Sequence, residues 1–316
     1  MVDGFPSLLI NPGHHRDFYE KTHQSHTYSY VKRDHYFIRS NDHLPDQVGM
    51  IIRRKELLSA LEKFYRARSE PLAVLDAGCN DGVMAQFVIR GCDEIVCSDL
   101  SMEALRQAST ILRDRALPHP RSFTFAQANV TALPFSSNIF DIVLLTEVIE
   151  HVPDARLVLD EVHRILKPGG LAFITTPNRS GRGVLYGKIK AVTVKLGMSL
   201  IERREGYRQV EEEERRLSVK NHEQEYRVQE MASMLAAAHL TVKRHDTKYI
   251  SYLDLQGFSK LVRGMDRYLA SYPMVRLVAW LDKAASMLKR FRGKGFIQIW
   301  EVTKSSGEDG REGETA

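Results

Sequence analysis

The chain has 316 residues and a mass of 36.1 kDa, which suits two average domains or one elaborated α/β domain. Hydrophobic residues make up 43% and charged residues 27%, which excludes global disorder and a collagen-like architecture. The net charge is +5, and the last twelve residues carry four acids and one arginine, so the rest of the chain carries +8. This excess favours acidic partners such as phosphates or anionic lipid.

The compartment follows from the absence of targeting signals and from the cysteines. No apolar run approaches the length that spans a bilayer, and the N-terminal sequence does not read as a secretory signal. Three cysteines, Cys79, Cys92 and Cys97, are too few and too close together for a disulfide framework or a zinc site. We therefore expect a cytoplasmic protein in a reducing compartment.

Strand and helix patterns alternate through the first part of the chain. Residues 1–47 are polar and rich in histidine without a clean period, which predicts an arm or lid, and residues 48–68 have helical spacing. The predicted strands are 72–78, 94–100, 122–129, 139–148 and 171–177, and the predicted helices between them are 82–90, 102–115 and 154–166, the last ending at Lys167–Gly170. Strands joined in this way pair in parallel with right-handed crossovers, which predicts a doubly wound sheet.

The alternation ends after Pro177. A basic helical segment at 179–201 and a charged linker are predicted first, then a helix at 228–238 and strands at 240–249 and 296–303. Residues 255–295 carry nine basic and two acidic side chains, which predicts amphipathic helices that either cap the site or lie on an anionic membrane. The predicted division is an arm at 1–47, a core at 48–178, a lid insertion and helix at 179–238, C-terminal strands with the basic cap at 239–304, and a disordered tail at 305–316.

The loop after the first strand, Asp76-Ala77-Gly78-Cys79-Asn80-Asp81-Gly82, lies where a doubly wound sheet binds its ligand. A dinucleotide fingerprint needs glycine at 78, 80 and 83, and here Asn80 and Val83 replace two of them, so NAD is disfavoured. The carboxylates of Asp76 and Asp81 would repel a pyrophosphate. They suit a ligand of net positive charge such as S-adenosylmethionine, which carries a sulfonium and an ammonium group.

Five motifs in this order, VLDAGCNDG, CSDLS, ANVTALPF, FDIVLLTEVIEHVPD and RILKPGGLAFITTPN, resemble the class I S-adenosylmethionine-dependent methyltransferases over residues 72–178. The resemblance implies a Rossmann-like, mostly parallel seven-stranded sheet with an antiparallel C-terminal strand and helical cap or lid insertions. It also implies methyltransferase activity. The residues that it places around S-adenosylmethionine are Asp76, Gly78, Asn80, Gly82, Asp99, Leu100, Asn129, Val130 and Thr146.

Within that set the resemblance implies separate roles along the cofactor. Asp99 would hold the ribose, and Leu100 would pack on the adenine. Two residues depart from the family pattern. Asn80 replaces a glycine, and asparagine tolerates left-handed backbone angles better than most residues. Asn129 replaces an aspartate at the adenine edge, where its amide oxygen could still accept a hydrogen bond from the amino group.

The residues after the fourth predicted strand point to the chemistry. Glu147, Glu150 and His151 would share one helical face if a turn starts there, and we expect His151 to act as base or ligand. The resemblance places Glu147, with Thr146, beside the methyl donor. The segment Glu-Val-Ile-Glu-His is similar to one in ubiquinone-pathway O-methyltransferases and in small-RNA 2′-O-methyltransferases. In the latter a divalent metal is bound, which would imply Glu147, Glu150, His151 and His222 as ligands here. We favour the metal-free alternative, in which His151 lines the pocket.

The sequence therefore predicts an S-adenosylmethionine-dependent methyltransferase that acts on a hydroxyl oxygen of a small or lipid-like acceptor. Peripheral contact with an anionic membrane is expected with it. RNA is not the expected partner, because Arg-interleaved aromatic platforms are not seen outside the N-terminal arm. Two alternatives stay open: a metal-assisted RNA 2′-O-methyltransferase and a non-catalytic S-adenosylmethionine-binding protein.

Overall fold

The computed structural model describes residues 30–33, 36–39, 44–68, 70–88, 94–113, 123–181, 224–249, 276–277, 279–280, 283–284 and 295–305. Most of the predicted arm, the lid insertion between Gly181 and Gln224 with His222, most of the basic cap, Cys92 and nearly all of the tail lie outside these residues.

The described secondary structure follows the predicted order of strands and helices. The strands are β1 Tyr30–Arg33, β2 Tyr36–Arg39, β3 Ala73–Ala77, β4 Glu94–Asp99, β5 Phe123–Gln127, β6 Phe140–Thr146, β7 Leu166–Pro177, β8 Leu240–Lys248 and β9 Ile297–Lys304. The helices are α1 Leu44–Arg66, α2 Met102–Arg113, α3 Ala155–Ile165 and α4 Val228–Ala237. Short 3-10 turns cover Ala85–Phe87, Ile149–His151 and Arg179–Gly181.

Seven of these strands form one sheet in the order β5-β4-β3-β6-β7-β9-β8. The strands from β5 to β7 are parallel, and β9 is antiparallel to both of its neighbours. The predicted mostly parallel, seven-stranded sheet with an antiparallel C-terminal strand is therefore confirmed. The strand order reverses between β3 and β6, and a crevice opens at such a point beyond the carboxyl ends of the strands.

Helices cover both faces of the sheet, because the central strands are apolar on both sides. Along β6, Ile142 and Leu144 belong to the hydrophobic cluster that includes α1 and α2, whereas Val143 and Leu145 belong to the cluster that includes α3 and α4. All four side chains are fully buried. The two clusters hold the carboxyl ends of β3, β4 and β6 side by side, which is where the candidate site lies.

The predicted helix at 82–90 is wrong. Residues 81–88 form turns and a single 3-10 turn, with hydrogen bonds from Phe87 N to Met84 O (3.0 Å) and from Val88 N to Ala85 O (3.2 Å). The Gln86 side chain also donates to the carbonyl of Val83 (2.8 Å).

Two element boundaries also differ from the prediction. Helix α3 ends at Ile165, and β7 begins at Leu166, because Leu166 already pairs with Phe140 of β6 and the register shifts before Ile142. The Lys167–Gly170 segment that was expected only to end the helix is therefore part of the strand. Helix α1 begins at Leu44, four residues earlier than predicted, and a proline at position 45 is tolerated in a first helical turn.

Candidate functional site

The loop after β3 has a backbone that turns sharply through three left-handed residues. The φ angles of Gly78, Asn80 and Gly82 are 72°, 51° and 74°. A Cβ on Gly78 would lie 2.5 Å from a methyl carbon of Val148, so that position must be glycine. The expectation that asparagine can adopt the left-handed angle at position 80 is confirmed.

Strand β4 holds this loop in place through backbone hydrogen bonds. The amides of Gly78 and Cys79 both donate to the carbonyl of Ser98, at 2.8 Å and 2.9 Å. The amide of Asn80 donates to the Asp99 carboxylate at 2.9 Å. The loop is therefore fixed against the end of β4, and the predicted cofactor residues Asp76, Asn80 and Asp99 are brought together.

Asp76 is the least satisfied group of the loop. Its side chain is fully buried, and neither carboxylate oxygen has a hydrogen-bond partner among the described residues. Burial, followed by the charges of Asp99 and Asp81, raises its pKa to about 7. The backbone N–H of Ala85 lowers the pKa of Asp76, but its geometry is not that of a full hydrogen bond to either oxygen. The amide oxygen of Asn80 is also buried without a partner, so three acceptor atoms here need donors.

Asp99 is oriented by the backbone on both sides. One carboxylate oxygen accepts from Asn80 N and the other from Ser101 N, each at 2.9 Å. The two backbone donors fix the direction of the carboxylate at the end of β4. Leu100 follows directly and is half-buried, with its carbonyl accepting from the side chain of Gln127 at 2.9 Å.

At the expected adenine edge the side chain of Asn129 closes a local turn. Its amide oxygen accepts from the amide of Thr131 (3.0 Å) and from the hydroxyl of the same residue (2.9 Å). Two bonds fill the two lone pairs of this oxygen, so in this conformation it is not available to an adenine amino group. Val130 is buried beside it and offers an apolar edge.

The acidic residues after β6 do not share a helical face, so that prediction is wrong. Glu147 has a φ of 55°, and the 3-10 turn begins only at Ile149. Glu147 follows the half-buried Thr146, and one of its carboxylate oxygens accepts from the Thr175 hydroxyl at 2.8 Å. The other carboxylate oxygen lies 3.5 Å from a guanidinium nitrogen of Arg53.

Glu150 is buried and is held by the next residue of β7. Its carboxyl group accepts from the Thr176 hydroxyl at 3.1 Å, and its other oxygen is 4.0 Å from Nε2 of His151. Burial, followed by the charge of Glu147, raises the pKa of Glu150 well above its usual range. The hydroxyl of Thr176 and the charge of Arg53 act in the opposite direction.

Strand β7 separates the two acids. Thr175 and Thr176 are consecutive strand residues, so their side chains point to opposite faces of the sheet. Glu147 is consequently held on the α1 face and Glu150 on the opposite face. Within the described ranges no cluster of three or more His, Cys, Asp or Glu side chains is arranged to hold a metal ion.

The sequence did not single out Arg53, Thr175 or Thr176. Arg53 is one charged residue of an amphipathic helix, and nothing in its spacing marks the pairing with Glu147. The two threonines could have been found from the sequence. They are polar residues at the end of a buried parallel strand, and that end of the sheet is where ligands bind.

Comparison with known proteins agrees with this geometry. Residues 75–174 match the family model described as a methyltransferase domain. The matched residues contain the acidic glycine loop and most of the parallel strands β3 to β7, and the match supports a class I S-adenosylmethionine-dependent methyltransferase domain. The cofactor of such a domain is S-adenosylmethionine. The three unpartnered acceptor atoms of Asp76 and Asn80 fit its ammonium and sulfonium groups.

The curated relatives that the chain matches include ubiquinone biosynthesis O-methyltransferases. The protein of that name from Vibrio cholerae is 32% identical over 119 residues, which are 37% of this chain and 47% of the relative. The one from Paracidovorax citrulli is 33% identical over 126 residues, 40% of this chain and 51% of the relative. The chain thus spans about half the length of the curated relatives it matches.

Among solved structures, the phosphoethanolamine N-methyltransferase of Haemonchus contortus in complex with S-adenosylmethionine is 16% identical, with a TM-score of 0.47. The match covers 79% of this chain and 52% of that one.

In the part of the chain that the structure describes, no helix is both long enough and apolar enough to cross a bilayer.

Proposed function

We propose that the chain transfers the methyl group of S-adenosylmethionine to a hydroxyl oxygen of a small or lipid-like acceptor. The observation that carries this proposal is the buried, unpartnered carboxylate of Asp76 at the end of β3. A buried acid without donors costs stability, and a cationic ligand is the partner that offsets this cost. When bound, S-adenosylmethionine supplies a methyl group on a positively charged sulfur.

Residues at the ends of β3, β4 and β5 each bind a different part of S-adenosylmethionine. Asp76 and the amide oxygen of Asn80 accept from the cationic end, and Asp99 accepts from the ribose hydroxyls. Leu100 and Val130 pack on the adenine, and Gly78 and Gly82 allow the backbone to approach closely.

His151 is proposed as the base that takes the proton from the acceptor hydroxyl. It lies on the 3-10 turn at the carboxyl end of β6 with a half-buried imidazole, and its Nε2 is beyond hydrogen-bond distance of Glu150. Glu147 is held by Thr175 and Arg53, so we assign it to orienting the acceptor rather than to proton transfer. A positioned base contributes about 10² to 10⁴-fold to such a reaction.

The activity named for the matched relatives supports a hydroxyl oxygen as the methyl acceptor. The matched proteins are ubiquinone biosynthesis O-methyltransferases, which favours an oxygen acceptor and a small or lipid-like molecule. Peripheral contact with an anionic membrane would bring a lipid-like acceptor to the site.

Two measurements on the full chain test the proposal. Calorimetric titration should show S-adenosylmethionine binding and no binding of NAD. Transfer of a labelled methyl group into fractionated extract, with and without a chelator, should yield a small methylated product in both conditions. Loss of activity with the chelator would favour the metal-assisted RNA enzyme. Binding without any product would favour a non-catalytic protein.

A variant at the proposed base sharpens the test. His151→Ala should lower kcat by about 10² to 10⁴-fold while leaving the affinity for S-adenosylmethionine within twofold. His239→Ala, which changes an exposed histidine after α4, is the control and should leave both unchanged. Equal kcat values for the two variants would contradict the role of His151.

A further inference from the structure

Gln224 contacts the backbone on both sides of His151, the proposed base. The backbone N–H of Gln224 donates to the carbonyl of Glu150 at 2.7 Å, and its side-chain Nε2 donates to the carbonyl of Pro153 at 3.2 Å. Positions 150 and 153 flank the histidine in the chain. Both contacts therefore come from one residue, which lies outside the matched residues 75–174.

The sheet holds the same turn from its other side. The backbone N–H of His151 donates to the carbonyl of Val148 at 3.0 Å, and the carboxyl group of Glu150 accepts from the Thr176 hydroxyl at 3.1 Å. These contacts secure the chain as far as the histidine. The contact of Gln224 with position 153 secures the chain that follows it.

A series of hydrogen bonds from β9 sets the direction of the Gln224 side-chain amide. The indole N–H of Trp300 can only donate, and it donates to Oε1 of Gln298 at 3.2 Å. The Nε2 of the same Gln298 side chain donates to the carbonyl of Tyr226 at 2.7 Å. The Tyr226 hydroxyl donates to Oε1 of Gln224 at 3.0 Å, so Nε2 of Gln224 is turned toward the carbonyl of Pro153.

Tyr226 is a stable donor in this series. Its ring is buried, and its backbone carbonyl also accepts from the backbone N–H of Arg179 at 3.1 Å. Burial, followed by the charge of Glu150, raises the pKa of Tyr226 to about 12. The phenol therefore keeps its proton at neutral pH and continues to donate to Gln224.

We propose that Gln224 is a positioning residue for methyl transfer, which fixes the turn that carries His151 and so holds the imidazole at the acceptor hydroxyl. The inference rests on the proposed role of His151 as the base. Placement matters for the rate, because a displacement of about 1 Å can cost about 100-fold. Gln224 is not among the residues assigned to S-adenosylmethionine, so its loss should change the rate and not the affinity for the cofactor.

The rate of labelled methyl transfer by the full chain tests this role, with the most active fraction of the extract as the source of acceptor. Gln224→Met keeps the side-chain length and removes the donor to Pro153. It should lower the rate at saturating S-adenosylmethionine by about tenfold, and KM and Kd for the cofactor should stay within about twofold. Tyr226→Phe, which removes the donor to Gln224, should lower the rate by about threefold. Gln229→Met, at an exposed glutamine of α4, is the matched control and should leave the rate unchanged.

A double-mutant cycle with His151→Ala shows whether Gln224 acts through His151. In protein that already lacks the imidazole, Gln224→Met should lower the rate by less than about twofold. A role confined to the stability of the fold would lower the rate by the same factor in both backgrounds.

Hydrogen exchange of the backbone amides gives a readout that needs no acceptor. Gln224→Met should speed exchange in the peptide that contains His151 by about two- to tenfold, and exchange in the loop 78–82 should not change. Unchanged exchange at the turn, an unchanged transfer rate, or an equal loss of rate in the His151→Ala background would overturn the inference and leave the methyltransferase proposal intact. A His151→Ala protein that is as active as the unchanged chain would overturn the proposed base and this inference together.

Discussion

Replacing Asp76 by asparagine tests the physical basis of the cofactor site, because it should change stability and binding in opposite directions. The carboxylate is buried without partners and lies near two further acids. In the ligand-free protein the ionised carboxylate lowers the stability of the fold. With the cofactor bound, the same carboxylate balances the positive charge of the cofactor. Asp76→Asn removes the charge and keeps nearly the same volume.

The size of the effect follows from the pKa. Folding raises the pKa of Asp76 from 3.8 to about 7, which corresponds to about 4 kcal/mol between the ionised and neutral forms. A raised carboxyl pKa means that its stabilising contribution is complete below pH 3.8 and is lost as the pH rises to about 7. Asp76→Asn should therefore stabilise the ligand-free protein above pH 7, by at most about 4 kcal/mol, and the gain should shrink toward pH 5.

Urea unfolding of the ligand-free protein at pH 5 and pH 8 measures the first effect. Calorimetry with S-adenosylmethionine measures the second, and Asp76→Asn should abolish detectable binding. Because binding uses the ionised form, the unchanged protein should bind about tenfold more tightly at pH 8 than at pH 6. Asp160→Asn, an exposed carboxylate on α3, should change stability by less than about 0.5 kcal/mol. A destabilised Asp76→Asn protein at pH 8, or one that keeps its affinity, would refute the assignment.

Two further substitutions examine the loop and the acidic turn. Gly78→Ala should destabilise the protein by about 2 to 4 kcal/mol, because the new methyl group would meet Val148 and the φ of 72° is strained for alanine. Gly169 also has a positive φ, 71°, but a Cβ there would meet no atom nearer than 3.6 Å. Gly169→Ala should therefore cost only about 1 kcal/mol in the same urea assay. Thr175→Val should lower kcat in the labelled-methyl assay while leaving the affinity for S-adenosylmethionine unchanged, because it releases Glu147 without touching the loop. A loss of cofactor affinity instead would mean that Thr175 serves the loop.

The cofactor half of the site could be predicted because its signals are local in the sequence. The buried parallel strands read as apolar runs, and the glycines and acids stand in the loop directly after β3. The left-handed angle at Asn80 and the convergence of Asp76 with Asp99 both follow from that pattern. A local pattern can also mislead, however. The prediction of a helix after Gly82 relied on periodicity alone, and the segment forms only turns and a single 3-10 turn.

The residues that contact Glu147 and Glu150 could not be predicted, because these contacts join distant parts of the chain. Arg53 is 94 positions before Glu147 in the sequence, and only the packing of α1 on the sheet brings them together. The alternation of Thr175 and Thr176 along β7 then decides that the two acids are held on opposite faces, which no spacing within Glu-Val-Ile-Glu-His reveals.

The surroundings of Glu150 also include residues from outside the matched domain. The backbone N–H of Gln224 donates to the carbonyl of Glu150 at 2.7 Å, and the carbonyl of Tyr226 accepts from the backbone N–H of Arg179 at 3.1 Å. Asn178 donates from its side chain to the carbonyl of Gly295 at 2.8 Å. The described residues that flank segments 182–223 and 250–294 are thus joined to one another by hydrogen bonds, and Gln224 joins them to Glu150. Because Gln224, Tyr226 and Gly295 lie outside the matched residues 75–174, part of the surroundings of Glu150 is built by chain outside the matched domain.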